Sequence, residues 1–321
     1  MKITWKLTWN KIKELGSLIA ETYNELLDDK VYKMSAALSY YTLLSLSPLL
    51  LIAISVAGFL FGEEAARGQI VIELQNLIGQ SGAEVVQSLL QNSSQEFTGI
   101  FTTIISLVII FLGSVGVFVE MKESLNIIWG IEPKPGQPIK NLIKTRVGAF
   151  SMVLTICFLL LVSLVVSSVL SGLGSMIGDN YPSFLPFMEV SNFIASVIII
   201  TVLFALIFRY LPDAVIRWKY VWMGAVITSI LFSIGKYLIG LYLGNSSYSS
   251  TFGAAGSLVV FMIWLNYSSL ILFFGAEFTQ VYRRKYSDAP LRADEDGIIV
   301  PKVSQLIKNE VKKNKKQKYQ E

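Results

Sequence analysis

Six apolar runs of about 20 residues each constrain this chain more than any other feature. A helix rises about 1.5 Å per residue, so about 20 apolar residues cross a hydrocarbon core of about 30 Å. The runs are continuous rather than alternating, which predicts helices and not the strands of a membrane barrel. We therefore predict an all-α, polytopic membrane protein with six transmembrane helices, at about Ala36–Phe61, Gly99–Val119, Val147–Leu170, Asn192–Phe208, Val221–Leu243 and Gly253–Phe278.

Composition supports a lipid-facing body and argues against a soluble enzyme. Only 16% of the 321 residues are charged and 53% are hydrophobic, whereas soluble domains carry about 25% charged residues. Histidine is absent, which removes the usual zinc ligand and the commonest general base near neutral pH. The single cysteine, Cys157, sits in an apolar run without an intrachain partner. We predict no cofactor, no metal and no catalytic residue.

Basic residues predict the orientation. Of the 27 lysines and arginines, 25 fall before the first run, between the second and third, between the fourth and fifth, or after the last. Arg67 is alone on the opposite side, and Lys236 lies inside the fifth run. Cytoplasmic segments carry such an excess of cations. We therefore predict that both termini are cytoplasmic.

The remaining segments define three regions. Residues 1–34 predict a cytoplasmic amphipathic helix lying on the membrane, and residues 35–285 form the six-helix domain. Its outer link, 62–98, is acidic, with apolar spacings that favour two short amphipathic helices. Residues 286–321 form a polar, basic tail that we expect to be disordered. Its charge predicts contact with anionic lipid rather than with nucleic acid.

Several segments resemble the YihY/BrkB membrane family. They are Ala36–Leu50, Asn126–Trp129, Arg209–Asp213, Trp264 and Gly275–Glu277. The resemblance covers about residues 30 to 285 and implies a multi-pass bacterial inner-membrane protein. The family carries a ribonuclease BN label, and some of its members a virulence label. It has no established catalytic or substrate-binding residues to transfer to this chain.

Lys236 is a charge within an apolar span, and such a residue usually faces protein or a wet cavity. One interpretation is that its stem lies in lipid and its ammonium reaches the outer headgroups. The other is a buried cation that faces an internal path and holds an anion. Because Lys236 and Glu277 differ by about 24 Å in depth, they are not expected to pair.

The first span carries a polar stripe, in which Ser35, Ser39 and Thr42 share one face and Tyr41, Ser45 and Pro48 lie beside it. Proline removes a backbone hydrogen bond and can kink a helix. Small and hydroxylated residues often mediate close helix packing in membranes. The alternative is that this broken helix lines a substrate path, as discontinuous helices do in transporters.

A second polar group is expected at the cytoplasmic ends of three spans. Glu120, Arg209 and Glu277 share that depth, and Asp213 lies nearby. The cluster predicts either a structural staple between helix ends or a transport gate. The motif Gly240–Gly244 and the small residues after Gly253 predict a tight hairpin of the last two spans and permit a homo-oligomer.

Three functions are compatible with this pattern. The polar residues favour a transporter or conduit for an anionic or amphipathic, lipid-like substrate. The amphipathic helix and basic tail favour, as an alternative, a non-catalytic envelope scaffold associated with virulence. The ribonuclease label is the least supported, because metal-dependent cleavage needs clustered carboxylates or histidines. The two acidic clusters here, Asp28–Asp29 and Asp294–Asp296, lie in the polar segments before the first apolar run and after the last one.

Overall fold

The computed structural model describes residues 2–62, parts of 64–88, 116–134, 147–148, 151, 155, 185–245, 254–287, 289–294 and 297–300. The helices are α1 (Lys2–Asp28), α2 (Val31–Phe61), α3 (residues 116–129), α4 (Leu185–Tyr210), α5 (Trp218–Asn245) and α6 (Ala254–Tyr286). Two three-residue strands, β1 (Ile131–Pro133) and β2 (Gly297–Ile299), pair antiparallel. The helical prediction is confirmed for these regions, with the small sheet added.

Four of the six predicted spans coincide with long helices, namely α2, α4, α5 and α6. Within the described residues, Trp218–Leu238 and Leu258–Tyr286 are long and apolar enough to cross a membrane. A third candidate is α2, whose axis bends by 49° between Val31–Leu46 and Leu49–Ser55. The predicted spans at 99–119 and 147–170 lie largely outside the described residues. The count of six and the side of each terminus therefore stay predictions.

Helices α1 and α2 are separated by a break of two residues. Lys30 adopts a left-handed backbone conformation with φ of 56°, and the N–H of Asp29 donates to the carbonyl of Glu25 at 2.9 Å. The left-handed residue interrupts the helix there, and α1 packs on both α2 and α6.

Helix α6 is the centre of the bundle, because it packs against α1, α2 and α5, while α4 packs on α5. Nearly every residue from Ile271 to Val281 is buried, including Phe273 and Ala276, which are fully buried. Burial on all sides is what a helix surrounded by others requires. Buried residues of the outer link, Ile70, Val85 and Val86, belong to the same core.

Helices α5 and α6 approach each other through a reciprocal pair of glycines and threonines. A Cβ placed at Gly224 would lie 1.7 Å from Oγ1 of Thr279, and one at Gly275 would lie 1.7 Å from Oγ1 of Thr228. Each threonine hydroxyl donates to the carbonyl of the glycine four residues earlier, at 2.7 Å. Helices α5 and α6 are therefore closely packed at this level, and the predicted hairpin through Gly240–Gly244 stays a prediction. The side chains around Gly240–Gly244 lie outside the described residues.

The chain after α6 crosses the loop between α4 and α5. The N–H of Val215 donates to Arg292 and the N–H of Asp294 to Asp213, both at 2.9 Å. Beyond this crossing, β2 pairs with β1, with Ile131 opposite Ile299. The prediction of disorder from residue 286 is therefore wrong for β2, because backbone pairing to β1 holds it. Residues 301–321 lie outside the described part.

Candidate functional site

Asp213, in the loop between α4 and α5, joins three parts of the chain. Its Oδ1 lies 2.9 Å from Nζ of Lys122, and its Oδ2 accepts a hydrogen bond of 2.9 Å from Nδ2 of Asn126. The N–H of Asp213 donates to Oδ1 of Asn126, also at 2.9 Å. We call Lys122, Asn126 and Asp213 the Asp213 junction. Its ion pair is mostly buried, with side chains 13% and 16% exposed, so α3 is fixed to the α4–α5 loop.

Two further hydrogen bonds to backbone carbonyls hold the surroundings of the Asp213 junction. Gln280, buried on α6, donates through Nε2 to the carbonyl of Ile128 at 2.6 Å. Arg209, at the end of α4, donates through Nη1 to the carbonyl of Ile216 and so closes the loop on itself. Trp129 is buried at the end of α3. The ends of α3, α4 and α6 therefore meet here.

The predicted cytoplasmic cluster overlaps this junction in part. Asp213 lies at its centre, and Arg209 borders the same loop. Glu120 is half-buried on α3, and Glu277 is fully buried on α6. Direct contacts among Glu120, Arg209 and Glu277 stay a prediction.

Sequence reasoning missed Lys122 and Asn126 as the partners of Asp213. It treated Lys122 only as one cation of a basic segment, and Asn126 only as part of a resemblance. The sequence did contain a signal for this pairing. Asp213 is an acidic residue in a short loop, and the basic segment that contains Lys122 has the same predicted depth.

The polar stripe of α2 is buried where it meets α6. Ser35 and Ser39 are each 1% exposed, and Ser45 is 3% exposed. Nδ2 of Asn266 on α6 donates to Oγ of Ser39 across 3.5 Å, and that hydroxyl itself donates to the carbonyl of Ser35 at 2.5 Å. We call Ser39 and Asn266 the α2–α6 polar contact. The Ser39 oxygen therefore acts toward α6 as an acceptor.

The other predicted residues of α2 lie on different sides of the helix. Thr42 is half-buried and donates to the carbonyl of Leu38 at 2.7 Å. Ser45 and Tyr41 face α3, because a Cβ at Gly116 would lie 3.4 Å from Oγ of Ser45 and 3.8 Å from the ring of Tyr41. The side chain of Pro48 lies outside the described residues, although the bend of α2 falls there. The stripe is thus divided between two neighbours of α2.

Lys236 lies on the exposed surface of α5, together with Tyr237 and Leu238. The residue before it, Gly235, packs closely on α6, since a Cβ there would lie 1.9 Å from Cε1 of Tyr267. The exposure of Lys236 supports the interpretation in which its ammonium reaches the outer headgroups. A role in a substrate path stays a prediction.

Helix α1 is attached to the end of α6 by charge. Nη2 of Arg284 lies 2.6 Å from Oε1 of Glu21 and 3.0 Å from Oε1 of the fully buried Glu25. Glu14 lies 3.4 Å from Nζ of Lys285 and accepts a hydrogen bond of 2.7 Å from the hydroxyl of Tyr286. That hydrogen bond, with the contact to Lys285, holds the pKa of Glu14 below its ordinary value of 4.5.

The opposite face of α1 is apolar and exposed. Leu15, Ile19, Tyr23 and Leu27 each expose about half of their surface. The acidic side chains of α1 therefore face protein, and its apolar stripe faces outward. An interfacial helix requires this arrangement.

The family model for the virulence factor BrkB matches residues 22–297. This chain belongs to that family. The match contains the Asp213 junction and the α2–α6 polar contact, and it ends at the first residue of β2. Because the described helices are long and apolar as well, the chain is a membrane protein of the BrkB family.

Three relatives show the range of similarity. UPF0761 membrane proteins of Tolumonas auensis and Coxiella burnetii are each 27% identical, over 78% and 84% of this chain and 80% and 94% of their own lengths. The one from Chromobacterium violaceum is 25% identical over 83% of this chain. The chain spans only 62% of the length of that protein. No solved structure matches the chain.

Proposed function

We propose that this protein is a six-span inner-membrane conduit, with both termini in the cytoplasm, for an anionic or amphipathic, lipid-like substrate. The observation that carries the proposal is the α2–α6 polar contact, placed within two apolar helices, with Ser39 on the Val31–Leu46 arm of the bent α2. Polar groups inside a membrane are costly, and they usually mark packing between helices or a path for substrate.

The details of the α2–α6 polar contact favour a path over packing alone. The bond from Asn266 to Ser39 is 3.5 Å long, at the upper limit for a hydrogen bond and well beyond the usual 2.9–3.0 Å. A contact selected for packing would gain more from a shorter bond. Glu277, three turns farther along α6, adds a fully buried ionisable group to the same helix. A polar substrate passing along α6 would meet both groups.

A flux assay in vesicles tests the conduit. The protein is reconstituted in phosphatidylcholine vesicles that contain a fluorescent phosphatidylglycerol, and loss of signal after adding an external quencher reports transbilayer movement. Ser39→Ala and Asn266→Ala are expected to lower the rate. Ser55→Ala is the matched control, because Ser55 also donates to the carbonyl four residues earlier but is exposed.

Two results would count against the proposal, and a third would decide the place of Lys236. Wild-type vesicles that move the lipid no faster than empty ones would contradict a conduit for this substrate class. Equal rates for Ser39→Ala and Ser55→Ala would remove the α2–α6 polar contact from the path. A Lys236→Ala variant with full flux would assign Lys236 to the membrane surface alone.

The alternative, a non-catalytic envelope scaffold, is favoured by one observation. Strand β2 exposes two adjacent isoleucines, Ile298 at 38% and Ile299 at 45%. Exposed apolar side chains on a short strand offer a place for a partner to dock. A scaffold should lose its partners when both isoleucines are changed to Ser, whereas a conduit should keep its flux.

We further propose that the chain is not an enzyme. Asp28 is exposed at the end of α1, and Asp294 is exposed in the segment that precedes β2. Purified protein that cuts tRNA precursors, and stops cutting when these acids are replaced, would contradict this proposal.

A further inference from the structure

Three aromatic side chains form a continuous, exposed ladder where α4 ends and α5 begins. The rings of Tyr210 and Trp218 meet edge to face with centroids 6.0 Å apart, and Trp218 and Trp222 follow at 6.2 Å. These side chains are 65%, 39% and 43% exposed. Trp and Tyr are enriched at membrane–water interfaces, where their rings sit at the level of the headgroups. We call Tyr210, Trp218 and Trp222 the aromatic ladder.

The position of the aromatic ladder along the chain places it at such an interface. Tyr210 is the last residue of the apolar stretch Ile194–Tyr210, and Trp218 is the first residue of the apolar stretch Trp218–Leu238. The two helices pack together and are joined by a loop of only seven residues. Both ends therefore lie at the same depth, where the two apolar helices end at a short loop that carries Asp213 and Arg217.

At the start of α5 the exposed charges beside the aromatic ladder are positive, and the carboxylate of the α4–α5 loop, Asp213, is mostly buried and bound to Lys122 and Asn126. From residue 217 to residue 222 the sequence carries two cations, Arg217 and Lys219, and no carboxylate. Both cations are exposed. The Arg209 side chain binds within its own loop, and the Lys219 ammonium lies 5.9 Å from the centre of the Tyr220 ring. The surface therefore complements an anion.

Below the ladder an apolar strip continues along α5. Trp222, Val226, Ile230 and Ile234 recur every four residues, and each is 42–49% exposed. Twelve residues at 1.5 Å each give about 18 Å. One leaflet is about half of a 30 Å core, or about 15 Å. The strip is therefore long enough to lie along one acyl chain.

We propose that this surface binds an anionic phospholipid. The headgroup phosphate contacts Arg217 and Lys219, the glycerol region lies on the rings of Trp218 and Tyr210, and one acyl chain lies along the strip from Trp222 to Ile234. This site lies on α4 and α5, away from the basic tail to which the sequence assigned lipid contact. It does not depend on the proposed conduit.

Fluorescence quenching in nanodiscs tests the site. The discs contain phosphatidylcholine with a minor fraction of lipid brominated on its acyl chains, either phosphatidylglycerol or phosphatidylcholine. A variant with Trp218→Phe and Trp222→Phe supplies the signal of the other four tryptophans, which is subtracted. We expect the anionic lipid to be bound about 30-fold more strongly than the zwitterionic one, as two cations at about 1 kcal/mol each predict.

Charge variants decide the assignment. The double change Arg217→Gln with Lys219→Gln is expected to abolish the preference for the anionic lipid. Lys13→Gln with Lys33→Gln removes the same charge from exposed positions on α1 and α2. This variant is expected to keep the preference for the anionic lipid. If the first variant does not fold, Arg217→Lys with Lys219→Arg should fold and keep the preference.

Several outcomes would overturn the proposal. The proposal is wrong if both lipids quench the wild type equally. It is also wrong if the preference for the anionic lipid survives Arg217→Gln with Lys219→Gln, or if that preference is lost in the Lys13 and Lys33 control. Relief of the quenching by soluble inorganic phosphate would mean that the two cations form an anion site without a lipid. Loss of the preference in the conservative Lys and Arg exchange, with the fold intact, would also contradict it.

Discussion

Replacing Gly224 by Ala should force α5 and α6 apart. The added Cβ would lie 1.7 Å from Oγ1 of Thr279 and 3.0 Å from the carbonyl oxygen of Gly275, whereas an ordinary contact is 3.4–4 Å. To relieve this overlap, either the threonine oxygen must move by about 1.7 Å or the two helices must separate by about that distance. Overpacking of this kind costs about 1–3 kcal/mol.

A matched glycine separates this effect from helix propensity. Alanine is better than glycine inside a helix by about 1 kcal/mol, and Gly16 on α1 has nothing within 4 Å of its added Cβ. We therefore expect Gly16→Ala to raise the free energy of unfolding by up to about 1 kcal/mol. Gly224→Ala should lower it by up to about 2 kcal/mol after the same propensity gain is subtracted. Titration with a denaturing detergent, followed by tryptophan fluorescence, measures both.

A double-mutant cycle identifies Thr279 as the cause. Thr279→Ala removes the oxygen at 1.7 Å and leaves only contacts of 3.0 Å around the new Cβ. Gly224→Ala combined with Thr279→Ala should therefore be more stable than the sum of the single effects predicts, by about 1 kcal/mol or more. Additive single effects, or equal stabilities of Gly224→Ala and Gly16→Ala, would refute the close approach of α5 and α6.

Three further predictions concern the contacts at the helix ends. Asp213→Ala should lower the free energy of unfolding by about 3 kcal/mol, because it leaves Lys122 and Asn126 without their partner in a mostly buried site; a loss below about 1 kcal/mol would contradict this. Because the pKa of Glu14 is lowered from 4.5, its bond to Tyr286 stabilises the α1–α6 contact above that pH and is lost as the pH falls below it. A spin-label distance between α1 and α6 should therefore lengthen in acid for the wild type, and Glu14→Gln should remove that dependence on pH. Truncation after Val300 should leave stability unchanged, whereas truncation after Ser287 should cost about 2 kcal/mol through lost backbone hydrogen bonds; equal stabilities would show that β2 contributes nothing.

The sequence was sufficient for the helices because their cause is local. Any run of about 20 apolar residues must form its backbone hydrogen bonds internally in lipid, and α2, α4, α5 and α6 each contain such a run. The helices extend beyond the predicted apolar runs, for example to Trp218 and to Tyr286, because a helix continues into the interface where water begins. Hydropathy marks the lipid boundary, which lies inside the helix ends.

The contacts between helices were harder to predict because they depend on rotation about each axis. Gly240 and Gly244 form the recognised motif, and the sequence did not single out Gly224 and Gly275, where the described residues show a close approach to a threonine. In the sequence, a glycine followed four residues later by a threonine is too common to single out. The antiparallel register that brings the two pairs together is set by the whole hairpin.

The small sheet could not be predicted, because its strands are three residues long and lie more than 160 positions apart. Neither strand alternates long enough to give a period. The basic composition of the tail predicted disorder, and the backbone pairing of Gly297–Ile299 prevails over that tendency locally. This has a practical consequence, since deletion of everything after Ser287 removes part of the folded domain along with the basic tail. A deletion that tests the basic tail alone, and so distinguishes a scaffold from a conduit, should therefore begin after Val300.

Three of the five segments that carry the resemblance to the BrkB family meet at one end of the bundle, namely Asn126–Trp129, Arg209–Asp213 and Gly275–Glu277. Asn126 binds Asp213, Ile128 accepts a bond from Gln280, and Gly275 packs against Phe208 and Thr228. These contacts join helix ends, so the shared pattern at that end specifies folding. The α2–α6 polar contact lies elsewhere, and only Ser39 of its two residues falls within a resembling segment. Changes at Asp213 should therefore reduce the amount of folded protein, and changes at Asn266 should alter flux in protein that folds normally. If Asn266→Ala instead lowered stability as much as Asp213→Ala did, the α2–α6 polar contact would be packing, and the scaffold would become the better proposal.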